Sequence, residues 1–316
     1  MTLTVTSTVT PPPPILIYGP TASGKTGLAV RLAKRLGAEI INADSMQVYT
    51  DLRILSARPT PQDTEAVPHH LFGTVDGAGD WSVGAWLRAA TPLLATDTPW
   101  ICVGGTGLYF KALTEGLAEI PEIDPSLRQQ VADQLADGGE EAVREELKAV
   151  DPEAEGRIAP HDHVRLIRAL AVWRQTGRAI SAYQADTKPL LKTYHGVVLN
   201  PPTDWLVARI EARFDQMLTD GVIEEVKAVA ARGLPADAPM QVAHGLPHLL
   251  AHLAGELSLA EARALSIRDT RRYAKRQRTW ARHQFPDWLW LETTDDAARE
   301  AAICDQFALS NSAAVR

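Results

Sequence analysis

"ILIYGPTASGKT", residues 15–26, decides the fold. An apolar run of strand type hands over at Gly19 to the pattern G-x-x-x-x-G-K-[ST], spelled here by Gly19, Pro20, Thr21, Ala22, Ser23, Gly24, Lys25 and Thr26. Beyond it, apolar residues recur at helical spacing. Strand, glycine-bounded loop and helix in that order make a phosphate-binding loop. Main-chain N–H groups of such a loop point into a concave nest at a helix N-terminus. Lys25 adds a point charge, and the Thr26 hydroxyl is placed to ligate a magnesium ion. This geometry recognises a diphosphate or triphosphate tail and leaves open what the tail is attached to.

Outward from the loop, "GAEIINADS", "PWICVGGTG" and "YHGVVLNP" repeat the signature of "PILIYG": a short Ile/Val-rich run that ends at Gly, Asn or Asp. These read as buried parallel strands, and "WLWLE" near residue 290 adds a last one. Between them lie amphipathic helices such as "KTGLAVRLAKRLG", apolar at 28, 29, 32, 33 and 36 and closed by Gly37. Alternating strand and helix predict an α/β, P-loop NTPase-like, doubly wound parallel sheet with its ligands at the carboxyl ends of the strands. The strand signal disappears over 121–190, where "PSLRQQVADQLADGG", "EEAVREELKAV" and "HVRLIRALAVWRQTG" read as helices. The expected organisation is a disordered tail over 1–14, a core of 15–120 and 191–316, and an inserted helical lobe over 121–190.

The chain has 316 residues, 45% hydrophobic and 22% charged, the balance of a soluble globular protein. Cys102 and Cys304 are its only cysteines, which suits a reducing cytoplasm and supplies no disulfide framework or Cys-x-x-Cys metal site. No run of about 18 apolar residues and no signal-peptide pattern is present, so no membrane association is expected. The net charge of −7 argues against a nucleic-acid binder until its distribution is read. Residues 263–282, "RALSIRDTRRYAKRQRTWAR", hold eight Lys or Arg against one Asp, a charge of +7, so everything outside the window sums to −14. On a helix, Arg268, Arg271, Arg272, Lys275, Arg278 and Arg282 form one cationic face while Ile267, Ala274 and Ala281 pack inward. Such asymmetry marks a polyanion footprint; the competing reading is a solvated helix face with local ion pairs.

P-loop hydrolases usually hold magnesium with a second acid at the end of a later strand. Here "WICV" ends in "GGTG", with no carboxylate before Glu115, which argues against a nucleotide-driven motor or switch. The second strand ends instead in "NADSMQVY", which places Asp44 at the carboxyl edge. That position suits a general base and equally the N-cap of a following helix. Thr106 in "GGTGLYF" is similarly open: its flanking glycines suit close approach to a ligand or a tight turn. His69 and His70 in "PHHL", and His161 and His163 in "PHDH", lack the i, i+4 spacing of a helical metal site. No acid or cysteine cluster nearby in sequence completes either pair, so a protein-bound zinc is not expected. Among the tryptophans, Trp280 inside the basic stretch is the candidate for stacking on a base, while Trp81, Trp86 and Trp173 read as core.

Taken together, "GPTASGKT", "INADSMQVY", "PHHL", "GGTGLYFKAL", "RLIRALAVWRQTGRAIS", "RIEARFDQML" and "TRRYAKRQRTW" resemble, in order and spacing, the tRNA dimethylallyltransferases, also called tRNA isopentenyltransferases, from about residue 15 to 290. The resemblance implies transfer of a dimethylallyl group from dimethylallyl diphosphate to the exocyclic amine of the adenosine 3′ of the anticodon, in tRNAs that read codons beginning with U. It implies that residues 19–26 hold the diphosphate with Mg2+ on Thr26, and that Asp44, Thr106 and Arg213 serve the reaction. By the same resemblance Asp44, Ser45, Met46, Gln47 and Thr106 meet the flipped base. Arg128, Val164, Arg165 and Arg168 meet the tRNA anticodon stem-loop, Val164 standing where the family has Gln. Arg271, Arg272 and Lys275 join this tRNA-binding set through the charge argument. Where the family commonly has "AIGYKE", this chain has "VAHGLPHLL", with Leu246 and His248 in place of Tyr and Glu. A bacterial, cytoplasmic monomer is the form expected.

Two other classes compete with this reading. A P-loop small-molecule or nucleoside kinase also needs the loop, magnesium and a carboxylate, but has no use for the basic helix. An RNA-binding protein with a vestigial loop would not need Lys25 and Thr26 intact.

Overall fold

The computed structural model describes residues 12–235 and 237–309, so most of the N-terminal tail, residues 1–11, lies outside the described residues. The chain folds as two compact units: the residues up to Lys111 with those from Leu191 on, and Ala112–Leu190.

The first unit carries a six-stranded, all-parallel sheet in the order β3-β2-β4-β1-β5-β6. Its strands are β1 (Ile15–Tyr18), β2 (Glu39–Asn42), β3 (His69–His70), β4 (Trp100–Gly104), β5 (His195–Leu199) and β6 (Leu289–Leu291). β1 is central, with Tyr18 level with Gly104 on one side and with Val198 on the other. All four of its side chains are buried, as a strand covered on both faces demands. The expected strands are all present. β3 was not expected: two histidines carry no strand pattern, and they join the sheet by pairing with Ile40 and Ile41. His69 and His70 are thus an edge strand, His70 bonded to Glu39 at 2.6 Å and His69 to the Val67 carbonyl at 2.7 Å.

Helices up to the lobe are α1 (Lys25–Leu36), α2 (Pro61–Ala66) and α3 (Val83–Leu94), and α4 (Gly107–Thr114), whose residues from Ala112 on belong to the second unit. Gly37 ends α1 in the left-handed conformation, φ 64°, its N–H bonded to the Ala33 carbonyl. Leu28, Ala29, Leu32 and Ala33 of α1 pack on Ile15, Ile17, Ile40, Ile101 and Val197 of the sheet.

The second unit is helical: α5 (Pro125–Val150), α6 (Pro152–Arg157), α7 (His163–Thr176) and α8 (Ile180–Ala185). α5 is broken at Gly139 (φ 78°, ψ 171°), between the two predicted helices. Val131, Val143 and Leu147 of α5 close on Leu166, Leu170 and Ala171 of α7 in a core of the unit's own.

After β5 the first unit resumes with α9 (Thr203–Thr219), α10 (Val222–Ala231), α11 (Leu246–Leu253), α12 (Leu259–Gln284) and, after β6, α13 (Asp296–Gln306). α12 starts from a capping box, Ser258 with Glu261. Ile267, Ala274 and Ala281 on α12 are buried, as their seven-residue recurrence predicts. Among the described residues no helix is long and apolar enough to cross a membrane.

Candidate active site

The loop leaves β1 at Gly19, where a Cβ would come within 3.0 Å of Leu199 Cβ and of Ser23 Oγ, so only glycine fits without displacement. It ends at Gly24 (φ 90°), the residue that turns main chain into α1. Between them Ala22 also holds a positive φ of 62°, a strained setting that a non-glycine residue keeps only when its surroundings over-determine it. The surroundings do so from three distant elements. Gln277 on α12 accepts from the Thr21 N–H at 3.0 Å and donates to the Gly105 carbonyl at 2.8 Å. Arg209 on α9 donates to the Ala22 carbonyl at 3.1 Å. Arg299 on α13, wholly buried, donates to the Ser23 carbonyl at 3.0 Å and to the Thr293 carbonyl at 2.7 Å. The Ala22 and Ser23 carbonyls and the Thr21 and Ser23 N–H groups are thus engaged within the protein, which fixes the loop from behind while its other side faces a cavity. None of Gln277, Arg209 and Arg299 was among the expected site residues.

Lys25 donates from Nζ to the Pro20 carbonyl at 2.7 Å, folding back over its own loop. Burial, opposed by Asp44 and aided by Arg213, lowers its pKa to about 8. Thr21, Ser23, Gly24, Lys25 and Thr26 line a cavity of about 420 Å³ together with Asp44, Gln47, Arg209 and Arg213. The Thr26 hydroxyl and the Asp44 carboxylate are hard oxygen donors that line the same cavity. That donor set fits magnesium, which keeps most of its waters and takes only one or two protein ligands.

Asp44 follows β2, and here the structure corrects one of the alternatives: no helix begins at this point, so Asp44 caps none. Its Oδ1 accepts from the Met46 N–H at 3.0 Å, and its own N–H donates to Oδ1 of Asn42 at 2.8 Å. Asn42, fully buried, donates in turn to the carbonyls of Asp44 and Leu71, both at 2.9 Å. The carboxylate is therefore fixed through one oxygen, and the other carries no hydrogen bond from the described residues.

The glycines around Thr106 allow close approach of the protein itself, and Gly104 also lines the cavity at the loop. A Cβ on Gly104 would lie 1.9 Å from the Ala43 carbonyl oxygen, one on Gly105 2.2 Å from Gln277 Nε2, and one on Gly107 2.1 Å from the Trp280 ring. Close approach there ties the ends of β2 and β4 to α12. Thr106 Oγ1 accepts from the Ser45 N–H at 2.9 Å and donates to Ser45 Oγ at 3.2 Å, and its own N–H donates to the Ala43 carbonyl. It lies one residue from the cavities and is not among the residues lining them. Trp280, the expected base-stacking residue, is instead held among Tyr18, Phe285 and Gly107.

A second cavity, about 340 Å³, adjoins the first: Thr21, Ala22, Asp44, Ser56 and Arg213 line both. Its walls are largely apolar, with Met46, Leu55, Ile210, Phe214, Met217 and Ala243, and its polar groups are Ser45, Thr270, His244, Tyr273 and Arg276. His244 lies against the Tyr273 ring, centroids 4.4 Å apart, and burial keeps the imidazole pKa below its ordinary value and the phenol pKa above. Arg213, one helical turn beyond Arg209 on α9, thus stands with Asp44 where a phosphate-lined space meets an apolar one. Gln47 reaches across to donate to the Ser56 and Ala57 carbonyls, at 3.0 and 3.1 Å.

The remaining predicted residues are exposed. Arg271, Arg272 and Lys275 line a groove of about 640 Å³ between α12 and α9, with Arg268, Arg278 and Arg282. Asp269 pairs with His248 at 2.8 Å, Arg268 at 3.1 Å and Arg272 at 3.7 Å. No ion pair among the described residues engages Arg271, Lys275 or Arg282, so the face is only partly neutralised. His248 and the buried Leu246 of the departing segment therefore serve the packing and charge of α11 against α12. In the helical unit Arg128, Val164, Arg165 and Arg168 are all on the surface, Arg165 paired with Asp162.

A family model described as IPP transferase matches residues 47–284, and one described as isopentenyl transferase matches residues 14–70. The tRNA dimethylallyltransferase of Caulobacter sp. (strain K31) is 50% identical over 285 residues, which cover 88% of this chain and 92% of that protein. That of Phenylobacterium zucineum (strain HLK1) is 50% identical over 285 residues, covering 89% and 92%. Among solved structures, the tRNA isopentenylpyrophosphate transferase from Bacillus halodurans superposes with a TM-score of 0.67 at 33% identity, covering 93% of this chain and 95% of that one. A eukaryotic dimethylallyltransferase acting on tRNA does so with a TM-score of 0.79 at 25% identity, covering 93% and 77%.

Proposed function

This chain belongs to the IPP transferase family, and on that premise we propose that it transfers a dimethylallyl group from dimethylallyl diphosphate to tRNA. The acceptor is the exocyclic amine of the adenosine 3′ of the anticodon, in tRNAs reading U-starting codons. The observation that carries the reading is the meeting of two cavities at Asp44 and Arg213, one walled by the phosphate loop and the other mostly apolar. A donor with an anionic head and an apolar tail fits on one side of that junction and an extruded base on the other.

In the reaction the adenine nitrogen forms a bond to C1 of the dimethylallyl group as the C1–oxygen bond to diphosphate breaks. Asp44 takes the amine proton on its free oxygen, and diphosphate leaves with the electron pair. The loop N–H groups, Lys25 and Arg213 face the oxygens on which negative charge grows, the preorganised arrangement that lowers such a barrier most. Thr26 would hold Mg2+, which when bound would neutralise diphosphate charge. No attacking water has to be activated, consistent with a "GGTG" strand end that carries no acid. The exposed cations of α12 and the surface residues Arg128, Arg165 and Arg168 supply phosphate contacts to tRNA. The proposed active form is a monomer. The kinase alternative is not favoured by the relatives.

Incubation with labelled dimethylallyl diphosphate, magnesium and total tRNA, followed by digestion to nucleosides, tests the proposal. Label in a modified adenosine is expected, and its absence with folded protein and intact tRNA would remove the assignment.

A further inference from the structure

The helical unit brings together three side chains that the sequence keeps apart. Glu140 begins the second arm of α5, directly after the break at Gly139, while His161 and His163 stand at the entry to α7. The one acid inside "PHDH", Asp162, is engaged elsewhere, but the fold supplies another in Glu140. Glu140 Oε2 lies 3.1 Å from His161 Nδ1 and 3.1 Å from His163 Nε2, and one donor atom from each residue lies within 4.8 Å of both others. We propose that Glu140, His161 and His163 form a binding site for a borderline divalent transition ion, zinc foremost, separate from the magnesium chemistry of the phosphate loop.

Distances carry the argument first. An ion with bonds of about 2.0–2.2 Å in tetrahedral geometry needs donors roughly 3.3–3.6 Å apart. The two Glu140–His separations need spread only by tenths of an ångström to admit it, and the two imidazole nitrogens lie within 4.8 Å of each other. Orientation comes second. The other carboxylate oxygen, Oε1, is held by Arg144 Nε at 2.7 Å, and Arg144 is itself anchored to Glu155 and to the Ile158 and Ala159 carbonyls. This is the kind of outer support that fixes a ligating carboxylate. Third, His161 keeps a left-handed main chain, φ 64°, with its N–H bonded to the same carboxylate at 3.1 and 3.2 Å; that uncommon conformation is what turns its ring toward Oε2. The neighbouring acid, Asp162, is engaged as cap of α7 and partner of Arg165, and is not a ligand.

Ligand chemistry selects the ion. Two imidazoles and one carboxylate suit zinc, nickel or copper, whereas magnesium and calcium prefer oxygen throughout. Both histidines are exposed, so water completes the coordination and the ion would clip the second arm of α5 to the start of α7.

The test uses the full, tag-free chain, titrated calorimetrically with Zn2+ in the presence of excess Mg2+, with Co2+ as the optical probe. One ion per chain is expected. Cobalt should show the visible bands of a low-coordinate nitrogen–oxygen site without thiolate charge transfer, because Cys102 and Cys304 are both buried. His161→Gln, at a side chain 87% exposed, should lose the tight binding without loss of fold, and so should His163→Gln. Zinc uptake unchanged in both variants, or no uptake by the parent chain, would overturn the site.

Discussion

Arg299 and Ser23 are separated by 276 residues, yet the guanidinium of one donates to the main-chain carbonyl of the other at 3.0 Å, underneath the phosphate loop. A Cβ on Gly24 would lie 3.0 Å from the same nitrogen. The loop therefore rests on a buried cation delivered by α13, beyond the 47–284 span of the family match. Replacing Arg299 with Met keeps bulk but leaves the Ser23 and Thr293 carbonyls without their donor, at roughly 1–3 kcal/mol for each orphaned group. We expect a lowered unfolding midpoint together with a KM for the donor raised about tenfold, taking one such group, roughly 1.4 kcal/mol, as the cost to loop geometry. A changed midpoint with an unaltered donor KM would make Arg299 a packing residue only.

The Lys25 ammonium gives a pH signature with a definite sign. Burial lowers its pKa from 10.5 to about 8 in the free protein, and a bound diphosphate must raise it again. Donor affinity should be level below about 8 and fall above it, by up to about tenfold per pH unit, until the pKa of the complex is reached. Stability of the free protein moves the other way. Between 8 and 10.5 the unfolded chain binds the proton that the folded one has lost, so this residue's contribution to stability rises with pH. Lys25→Arg keeps its charge throughout and should flatten both profiles, which isothermal titration and thermal unfolding across this range would read.

Asp44→Asn separates proton acceptance from shape. Asn can still accept the Met46 N–H through its oxygen, so the turn at the end of β2 survives and the melting temperature should hold. Transfer should slow by about 10²–10⁴, the usual worth of a general base. Single-turnover rates at saturating donor and tRNA measure it; an unchanged rate would leave Asp44 a turn-forming residue.

Much of this was legible because it is local. The strand-to-helix passage at 15–36, the Gly37 stop and the helix break at Gly139 each follow from residues within one turn or strand. What escaped depends on partners brought from far along the chain. Gln277 reads as one polar residue on a basic helix, and only the fold sets it between Thr21 and Gly105. Trp280 sits in a cationic run that suggests bases, but the missing side chain at Gly107 lets its ring pack, half-buried, against the protein. His69 and His70 have no strand pattern because an edge pair of two residues borrows its conformation from Ile40 and Ile41. Glu140 could not be matched to "PHDH" from sequence, since the break in α5 and the return of α7 create their proximity.

The cationic groove on α12 has a prediction of its own. Arg271→Gln with Lys275→Gln should lower the slope of log tRNA affinity against log salt by about one to two units, since each phosphate contact adds roughly 0.7 to 0.9. Affinity for dimethylallyl diphosphate should stay nearly the same, because neither residue lines the cavity at the loop. An unaltered tRNA slope would mean a solvated helix face, and lost donor affinity would assign these charges to the diphosphate site.

The central claim is that the phosphate loop holds the diphosphate of an isoprenoid donor and drives no nucleotide hydrolysis. Its most direct measurement follows diphosphate release and modified adenosine together in a reaction containing donor, magnesium and tRNA but no ATP, in parallel with Lys25→Ala. The predicted result is one diphosphate per modified adenosine, no stimulation on adding ATP, and loss of both products in Lys25→Ala while that variant still binds tRNA. ATP hydrolysis stimulated by tRNA, or transfer that depends on ATP, would contradict it.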